Sequence, residues 1–366
     1  MRGRTLLLNP GPVVLSDRVR AALAAGDACH REPEFAAVTI EVLERLRDVY
    51  PHGGRRHAAV LLAGSGTCAV EAMLATLAPR DGITLVVNNG VYGDRMAAML
   101  RAHGKPVSEL SFPWLEAIDL EAVEARLRED PAISYVAAVH HETTTGRLND
   151  IAGLGRLCRR YDRPLLLDAV SSFGAESVDV DAWNVAAVAG TANKCLHGAP
   201  GPCFVLSRTD LLQADNREVA SVYLDLRRYF GPQRDSGYSP FTPAVNSVFA
   251  LREALVELDE AGGWKSRQAL YHDRSERVTA CLRDAGVNTL LPVESYSCVL
   301  RSYRLPQAMS YQSLHDQLRE QDIIIYGGQG DLGGDIFRVA CMGEISDEDM
   351  SRLLRTLEDC LGGMRP

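Results

Sequence analysis

Short apolar runs alternate with longer helical patterns along the first two thirds of the chain. The clearest runs are nearly continuous in apolar residues and lie at 58–62, 83–87, 133–139, 164–167 and 185–189. Parallel strands that are covered by helices on both faces have this composition, because neither face meets water. Strands alternating with helices predict an α/β fold.

The pattern changes near residue 244. Long charged helical patterns follow, and then shorter elements, which we place at 245–262 and 265–286 (helices), 296–302 (strand), 311–321 (helix), 323–326 and 336–340 (strands). Ser346 and Asp349 predict that a last helix begins with a capping box. We therefore expect an extended segment (1–20), a large α/β domain (21–250) and a smaller C-terminal α+β domain (251–366).

Composition narrows the classes of protein to consider. A chain of 366 residues with 46% hydrophobic and 24% charged residues is expected to fold as a globular protein of about two domains. Its net charge of −9 gives no broad positive field for nucleic acid, and no apolar stretch reaches the length of a membrane span. The nine cysteines are scattered and form no C-x-x-C pair, so we expect a reducing cytoplasm, without a disulfide framework or zinc site.

Each predicted strand of the large domain ends in polar or glycine-rich sequence. The endings are Gly64-Ser65-Gly66-Thr67, Asn88-Asn89-Gly90-Val91-Tyr92-Gly93, Glu142-Thr143-Thr144-Thr145-Gly146, Asp168-Ala169-Val170-Ser171-Ser172 and Gly190-Thr191-Ala192-Asn193-Lys194. In open α/β sheets, ligands bind beyond the carboxyl ends of the strands. We therefore expect the functional site at this edge of the sheet.

The first of these endings has the composition of a phosphate-binding turn. Gly64-Ser65-Gly66-Thr67 stands between a strand and a helix, where backbone N–H groups and two hydroxyls can surround a phosphate. A tight turn with no ligand would also favour small residues here.

Two further endings supply an acid and an amine. Asp168 ends a buried strand, and Lys194 lies in a polar loop after the next one. A partly desolvated lysine has a depressed pKa and can attack an aldehyde. Taken singly, Asp168 could be a helix cap and Lys194 a surface charge. Taken with the phosphate-binding turn, they are the parts that a pyridoxal phosphate enzyme needs.

The order of motifs resembles the class V, fold type I aminotransferases along nearly the whole chain. Within that family it is most similar to the 2-aminoethylphosphonate:pyruvate group, and less so to alanine:glyoxylate aminotransferases. Besides the strand endings above, the resemblance rests on Leu8-Asn9-Pro10-Gly11-Pro12, Ala192-Asn193-Lys194-Cys195, Phe241-Thr242-Pro243 and Phe337-Arg338. It implies pyridoxal 5′-phosphate as cofactor, a mostly parallel seven-stranded sheet in the large domain, and a homodimer with composite active sites.

The resemblance also implies roles for individual residues. Lys194 would bind the cofactor aldehyde covalently and then move protons, while Asp168 would hold the proton of the ring nitrogen. Tyr92 would stack on one face of the ring and Val170 on the other, since Val170 shares a side with Asp168 if the strand continues. The other implied cofactor contacts are Ser65, Gly66 and Thr67 at the phosphate, Thr143 at the ring hydroxyl, Asn193 beside the lysine, and Thr242 at the phosphate from the second subunit.

Substrate binding is implied for Arg338, whose planar guanidinium suits both carboxylate and phosphonate. The alternative is a surface charge on a strand edge. Gly11 would add a backbone contact. Arg31 lies in a segment, Cys29 to Phe35, that departs from the family pattern; it is either a second cation for the phosphonate or a partner of Glu34.

Two other features bear on the site. His197 stands where glutamine is usual in the family, and we expect it near the substrate. His140-His141-Glu142 is not a metal motif, because adjacent strand residues point to opposite faces and no H-E-x-x-H is present.

The favoured hypothesis is an aminotransferase that interconverts 2-aminoethylphosphonate and phosphonoacetaldehyde with a small 2-oxo acid such as pyruvate. An alanine:glyoxylate or serine:pyruvate aminotransferase is the alternative within the family. A lyase such as a cysteine desulfurase needs a thiol on a mobile loop, whereas Cys298 and Cys341 lie within predicted strands. A non-catalytic relative that binds amino sugars is disfavoured by Lys194.

Overall fold

A computed structural model describes residues 4–50, 57–214, 219–307 and 309–361. The strands are β1 (Leu6–Leu7), β2 (His57–Gly64), β3 (Ile83–Asn88), β4 (Val107–Ser111), β5 (Ile133–Val139), β6 (His141–Glu142), β7 (Arg147–Leu148), β8 (Leu165–Asp168), β9 (Val185–Thr191), β10 (Gly201–Arg208), β11 (Leu300–Arg304), β12 (Ile323–Ile324), β13 (Tyr326–Gly327) and β14 (Ile336–Ala340).

The helices alternate with the strands as far as β10 and then become longer. They are α1 (Asp17–Leu23), α2 (Pro33–Asp48), α3 (Gly66–Leu77), α4 (Val91–Ala102), α5 (Leu120–Glu129), α6 (Ile151–Arg160), α7 (Thr209–Leu212), α8 (Leu226–Ser236), α9 (Val245–Glu260), α10 (Gly263–Asp284), α11 (Tyr311–Glu320) and α12 (Asp347–Leu361). Short 3₁₀ turns lie at Val293–Ser295 and Gly330–Leu332.

A seven-stranded sheet forms the centre of the large domain. Its order is β2-β10-β9-β8-β5-β3-β4, and β10 alone in it runs antiparallel to its neighbours. The α/β prediction is therefore confirmed, and all five predicted strands are present as β2, β3, β5, β8 and β9. The strands β4 and β10 were not predicted from the sequence pattern.

Helices cover both faces of this sheet, which explains why its strands are so apolar. Along β2, for example, Val60 packs into the core cluster on one face and Leu61 into the cluster on the other. Close packing on both sides fixes the strands, and with them the polar groups that follow at their carboxyl ends.

The C-terminal part is built on an antiparallel sheet with the order β11-β14-β13. The predicted capping box of α12 is confirmed, since Asp349 N–H donates to Ser346 Oγ at 3.0 Å and Ser346 N–H donates to Asp349 Oδ2 at 3.1 Å. The strand expected at 296–302 begins later than predicted: Tyr296 forms only an isolated bridge with Arg147, and β11 runs from Leu300 to Arg304.

The N-terminal segment joins this C-terminal part. β1 pairs with β12 in parallel, and Leu6 and Leu8 lie in the hydrophobic core of the C-terminal region. The segment is extended only as far as α1, and residues 20 and 250 fall inside α1 and α9. The domain boundaries therefore stay a prediction. In the described residues no helix is long and apolar enough to cross a membrane, and the nine cysteines are free thiols.

Candidate active site

The polar segments meet at the carboxyl edge of the central sheet. β2, β3, β5, β8 and β9 are all parallel to one another and end at Gly64, Asn88, Val139, Asp168 and Thr191. Loops from five different strands therefore converge on one region, as the sequence predicted.

Asp168 lies at the mouth of β8 with 6% of its surface exposed. Burial raises the pKa of its carboxyl to about 6, against the lowering effects of the Val170 N–H, Arg95 and Lys194. The strand ends at Asp168, so strand alternation does not extend to Val170, as the sequence-based placement of its side chain required. The turn nevertheless brings Val170 N–H to within 2.9 Å of Asp168 Oδ1.

A small cavity of about 30 Å³ separates this acid from the first turn of α3. Its lining includes Gly66, Thr67, Tyr92, Asp168 and Val170. The structure thus brings together five of the residues that the sequence analysis assigned to cofactor binding.

Lys194 is partly buried beside the N-terminal segment. Its amine donates a hydrogen bond to the Pro10 carbonyl. Gly11 has φ of +93°, and a methyl group there would lie 2.6 Å from Cδ of Lys194, so a larger residue would displace the lysine chain. Burial lowers the pKa of Lys194 to about 8, although the charge of Asp168 opposes this shift. Lys194 is therefore not a surface charge, and part of it is neutral near pH 7.

The first turn of α3 presents hydrogen-bond donors to the cavity. Ser65 is the N-cap residue, yet its side chain makes no capping hydrogen bond. The N–H groups that open a helix lack partners within the helix, and its dipole favours an anion there. Arg95, which the sequence analysis missed, donates from Nη1 to Thr67 Oγ1 at 3.4 Å and lies 4.7 Å from the ring centroid of Tyr92.

Arg338 lies in the middle of β14 and is only 2% exposed, which excludes the surface-charge alternative. Nε donates to Gly327 O at 2.8 Å and Nη1 to Thr143 O at 2.7 Å, with Gln329 Oε1 at 3.4 Å from Nη1. All these acceptors are neutral. Burial lowers the pKa of this guanidinium. It forms no ion pair within the described parts of the chain, so its charge is available to an anionic ligand.

Glu142 is a second buried carboxyl that the sequence analysis quoted in a motif but gave no role. It is fully buried, and burial raises its pKa to about 7. In the sequence, the one indication that Glu142 belongs to the site is its position directly before Thr143. The burial of a single glutamate cannot be predicted from one sequence.

The remaining predicted residues have varied settings. Asn193 Oδ1 accepts from Thr191 Oγ1 at 2.8 Å. Thr242 and Arg31 are exposed, and Arg31 makes no ion pair with Glu34 or any other described residue. The roles assigned to Thr242 and Arg31 stay predictions.

His197 is buried next to the lysine loop. Its Nε2 accepts a hydrogen bond from Gly343 N–H at 2.9 Å and contacts the Tyr271 hydroxyl. These contacts tie the loop of Lys194 to the segment that follows β14. Across the residues that the structure describes, His, Cys, Asp and Glu form no group of three or more able to hold a metal ion.

The sequence profile of the aminotransferase class-V family matches residues 35–330. The chain belongs to that family. This confirms the resemblance drawn from the motifs.

Relatives in the family align over almost the full length. A 2-aminoethylphosphonate–pyruvate transaminase of Syntrophobacter fumaroxidans is 35% identical over 97% of this chain and 96% of its own length. A 2-aminoethylphosphonate–pyruvate transaminase of Pseudomonas aeruginosa is 34% identical over 97% of this chain and 96% of its own length. The solved structure of alanine–glyoxylate aminotransferase from a Nostoc species has a TM-score of 0.90 at 29% identity and covers 99% of this chain and 96% of that one. The fold type I prediction is confirmed by such neighbours.

Proposed function

We propose that the chain is a pyridoxal phosphate-dependent aminotransferase that moves an amino group between 2-aminoethylphosphonate and a small 2-oxo acid such as pyruvate. The observation that carries the proposal is that a partly buried amine and a buried acid lie at one sheet edge, and that Arg338, which is buried and forms no ion pair among the described residues, donates to Thr143 of that edge. The full-length similarity to transaminases named for this substrate pair supports it.

The residues present fit the cofactor. Asp168 is a buried carboxyl that, among the described residues, has no cationic side chain hydrogen-bonded to it, which suits a protonated ring nitrogen. Lys194 is a desolvated amine suited to an aldehyde. Pyridoxal phosphate supplies that aldehyde and a ring that accepts electrons from the carbon bearing the substrate amine.

The cofactor contacts come from several loops. Ser65, Gly66 and Thr67 would hold the phosphate at the start of α3. The ring would lie between Tyr92 and Val170. Thr143 and Asn193 would add polar contacts.

Proton transfer falls to Lys194. Because the pKa of its amine is lowered to about 8, Nζ can accept a proton from the substrate carbon at neutral pH and would deliver it to the cofactor. Asp168 stays ionised above about pH 6 and so can hold the proton of the ring nitrogen.

Arg338 would bind the anion of both substrates in turn. Its position on a buried strand fixes its geometry, and a guanidinium binds a carboxylate or a phosphonate oxygen pair equally well. One cation can thus serve both half-reactions.

We also propose a homodimer whose second subunit completes each site. Thr242 is exposed in the single chain, as a residue that reaches across to another subunit would be. Cross-linking combined with a Thr242→Ala variant would test this, since the variant should weaken cofactor affinity in the dimer.

The experiment that tests the cofactor site is borohydride reduction of the purified enzyme followed by peptide mapping. The chain contains three lysines, Lys105, Lys194 and Lys265. We expect a pyridoxyl group on Lys194 alone. A label on Lys105 or Lys265, or none at all, would overturn the assignment.

An alanine:glyoxylate aminotransferase is the second candidate, favoured by the similarity to the Nostoc structure. Steady-state turnover decides between the two. With the aminated enzyme, rapid reaction with phosphonoacetaldehyde supports the first function, and reaction with glyoxylate but not phosphonoacetaldehyde supports the second.

A further inference from the structure

Glu142 is held from both sides although no step of the proposed reaction uses it. Oε1 accepts from Thr144 N–H at 3.1 Å and from Thr144 Oγ1 at 2.6 Å, while Oε2 accepts from Tyr92 N–H at 3.3 Å. The carboxyl group therefore joins the loop after β5 to the first turn of α4.

The start of α4 is shaped around this carboxyl group. A methyl group on Gly90 would lie 2.3 Å from Cδ of Glu142, so the close approach requires a glycine. Asn88 holds the same turn on its other side, since its Oδ1 accepts from Gly90 N–H at 3.0 Å. Of these two anchors, Glu142 is the one that bonds to the backbone of Tyr92, whose ring borders the cavity with Asp168.

We infer that Glu142 is a positioning residue: its carboxyl group fixes the first turn of α4, and with it the ring of Tyr92, beside Asp168. This inference rests on the proposed function, because the proposed function supplies the cofactor ring on which Tyr92 would stack.

Charged groups on two other elements act on Glu142. Asp168 at the end of β8 adds to the effect of burial, and together they raise the pKa of Glu142 to about 7. Arg338 on β14 interacts favourably with the ionised form. From α4 and from its own loop, Glu142 receives the N–H of Tyr92 and the two donors of Thr144, which favour ionisation. Near pH 7 both forms are therefore present.

The test uses variants of the holoenzyme that change either the charge or the length of the side chain at position 142. Glu142→Gln keeps the size of the side chain and removes the titration, whereas Glu142→Asp keeps the charge but is too short for both contacts. Thr144→Val removes one donor to the ionised form. Glu121→Gln, at an exposed position on α5, is the matched control.

We expect the pH titration of the absorbance of the bound cofactor to contain a component from Glu142 in the wild type and in the control, beside the components of Asp168 and Lys194. Glu142→Gln should lose the component of Glu142, and Thr144→Val should move it to higher pH. Glu142→Asp should keep a titration and weaken cofactor affinity by about five- to tenfold, as the loss of one or two hydrogen bonds would. A titration that is unchanged in Glu142→Gln, together with an unchanged cofactor affinity in Glu142→Asp, would overturn the inference.

The protein without cofactor gives a readout that does not depend on the proposed function. The pKa of folded Glu142 is raised from 4.5 to about 7, so the wild type should lose stability as pH rises through this interval. Glu142→Gln should not show this loss. The denaturant midpoint of the variant should therefore rise relative to that of the wild type from pH 5 to 7, and the difference between the two should be constant at higher pH. Parallel curves throughout would refute the role of Glu142, whereas this gain in a protein that binds no cofactor would refute only the proposed function.

Discussion

Two arginines of the small antiparallel sheet are equally buried, yet their surroundings differ. Arg301 on β11 and Arg338 on β14 are each 2% exposed. The register pairs Arg301 with Val339 and Arg338 with Ser302, so the two side chains point to opposite faces of the sheet.

The two arginines differ in their hydrogen-bond partners. Arg301 donates from Nη2 to Glu276 Oε1 at 2.6 Å and from Nη1 to Thr279 Oγ1 at 2.7 Å, so a carboxylate of α10 balances its charge. Arg338 has only neutral acceptors among the described residues. A buried cation costs free energy unless an anion pairs with it. Burial alone therefore does not mark a binding residue. Arg274 is also buried and donates only to carbonyl oxygens, those of Cys341, Gly343 and Ile345, whereas Arg338 donates to Thr143 at the polar edge of the central sheet.

The largest expected effect is that of Arg338→Ala. Loss of a charge-assisted contact to the substrate should cost about 2–5 kcal/mol of transition-state binding, or roughly 30- to several-thousand-fold in kcat/KM. The loss should appear in both half-reactions, while the spectrum of the bound cofactor stays the same. Stopped-flow rates with each substrate measure it.

Arg338→Lys sharpens this experiment, because lysine keeps the charge and loses the planar fork. We expect it to recover part of the rate. An Arg338→Ala enzyme that reacts normally with either substrate would contradict a shared anion site.

Arg301→Met should have a smaller effect, and on stability instead of catalysis. Thr279 loses a donor, while Glu276 is half exposed and can be solvated. We expect a loss of about 1–3 kcal/mol in the free energy of unfolding, with KM unchanged for both substrates. Urea denaturation and steady-state kinetics check this, and a raised KM would show that the two faces are not separate.

Glu276→Gln should have the smallest effect. Its side chain is 49% exposed, so solvent screens the pair and we expect less than about 1 kcal/mol. The hydrogen bond from Arg301 lowers the pKa of Glu276, so its contribution is present above the unfolded pKa and is lost as pH falls through the folded value. The difference between variant and wild type should vanish in acid; a difference that persists there would contradict an ion-pair origin.

The strands that could be predicted from the sequence are those buried on both faces. β4 was missed because it pairs only with β3 at the edge of the sheet, and its half-buried residues Val107–Ser111 form no apolar run. β10 was missed because it opens with Gly201 and Pro202, residue types that indicate a turn. The hydrophobic pattern thus identifies strands that are covered on both faces, including β2 at one edge of the sheet, and fails where turn residues or solvent interrupt it.

Candidate site residues could be predicted where they directly follow a predicted strand, as Asp168 and Lys194 do. They were missed where the role depends on a contact between distant segments. Glu142 acquires its setting from the turn at Gly90, and Arg95 acquires its partner Thr67 from another part of the chain. Neither the distance between two such residues nor the burial of their side chains follows from the order of residues in the sequence.

The pairing of β1 with β12 has a consequence for biosynthesis. Leu6 pairs with Ile323, so the segment that carries Pro10 and Gly11 to Lys194 can dock only after nearly all of the described chain has left the ribosome. Contacts of such high sequence separation form late and slow folding. The nascent chain can build its central sheet first, whereas the pocket around the lysine amine can close only after β1 has paired with β12.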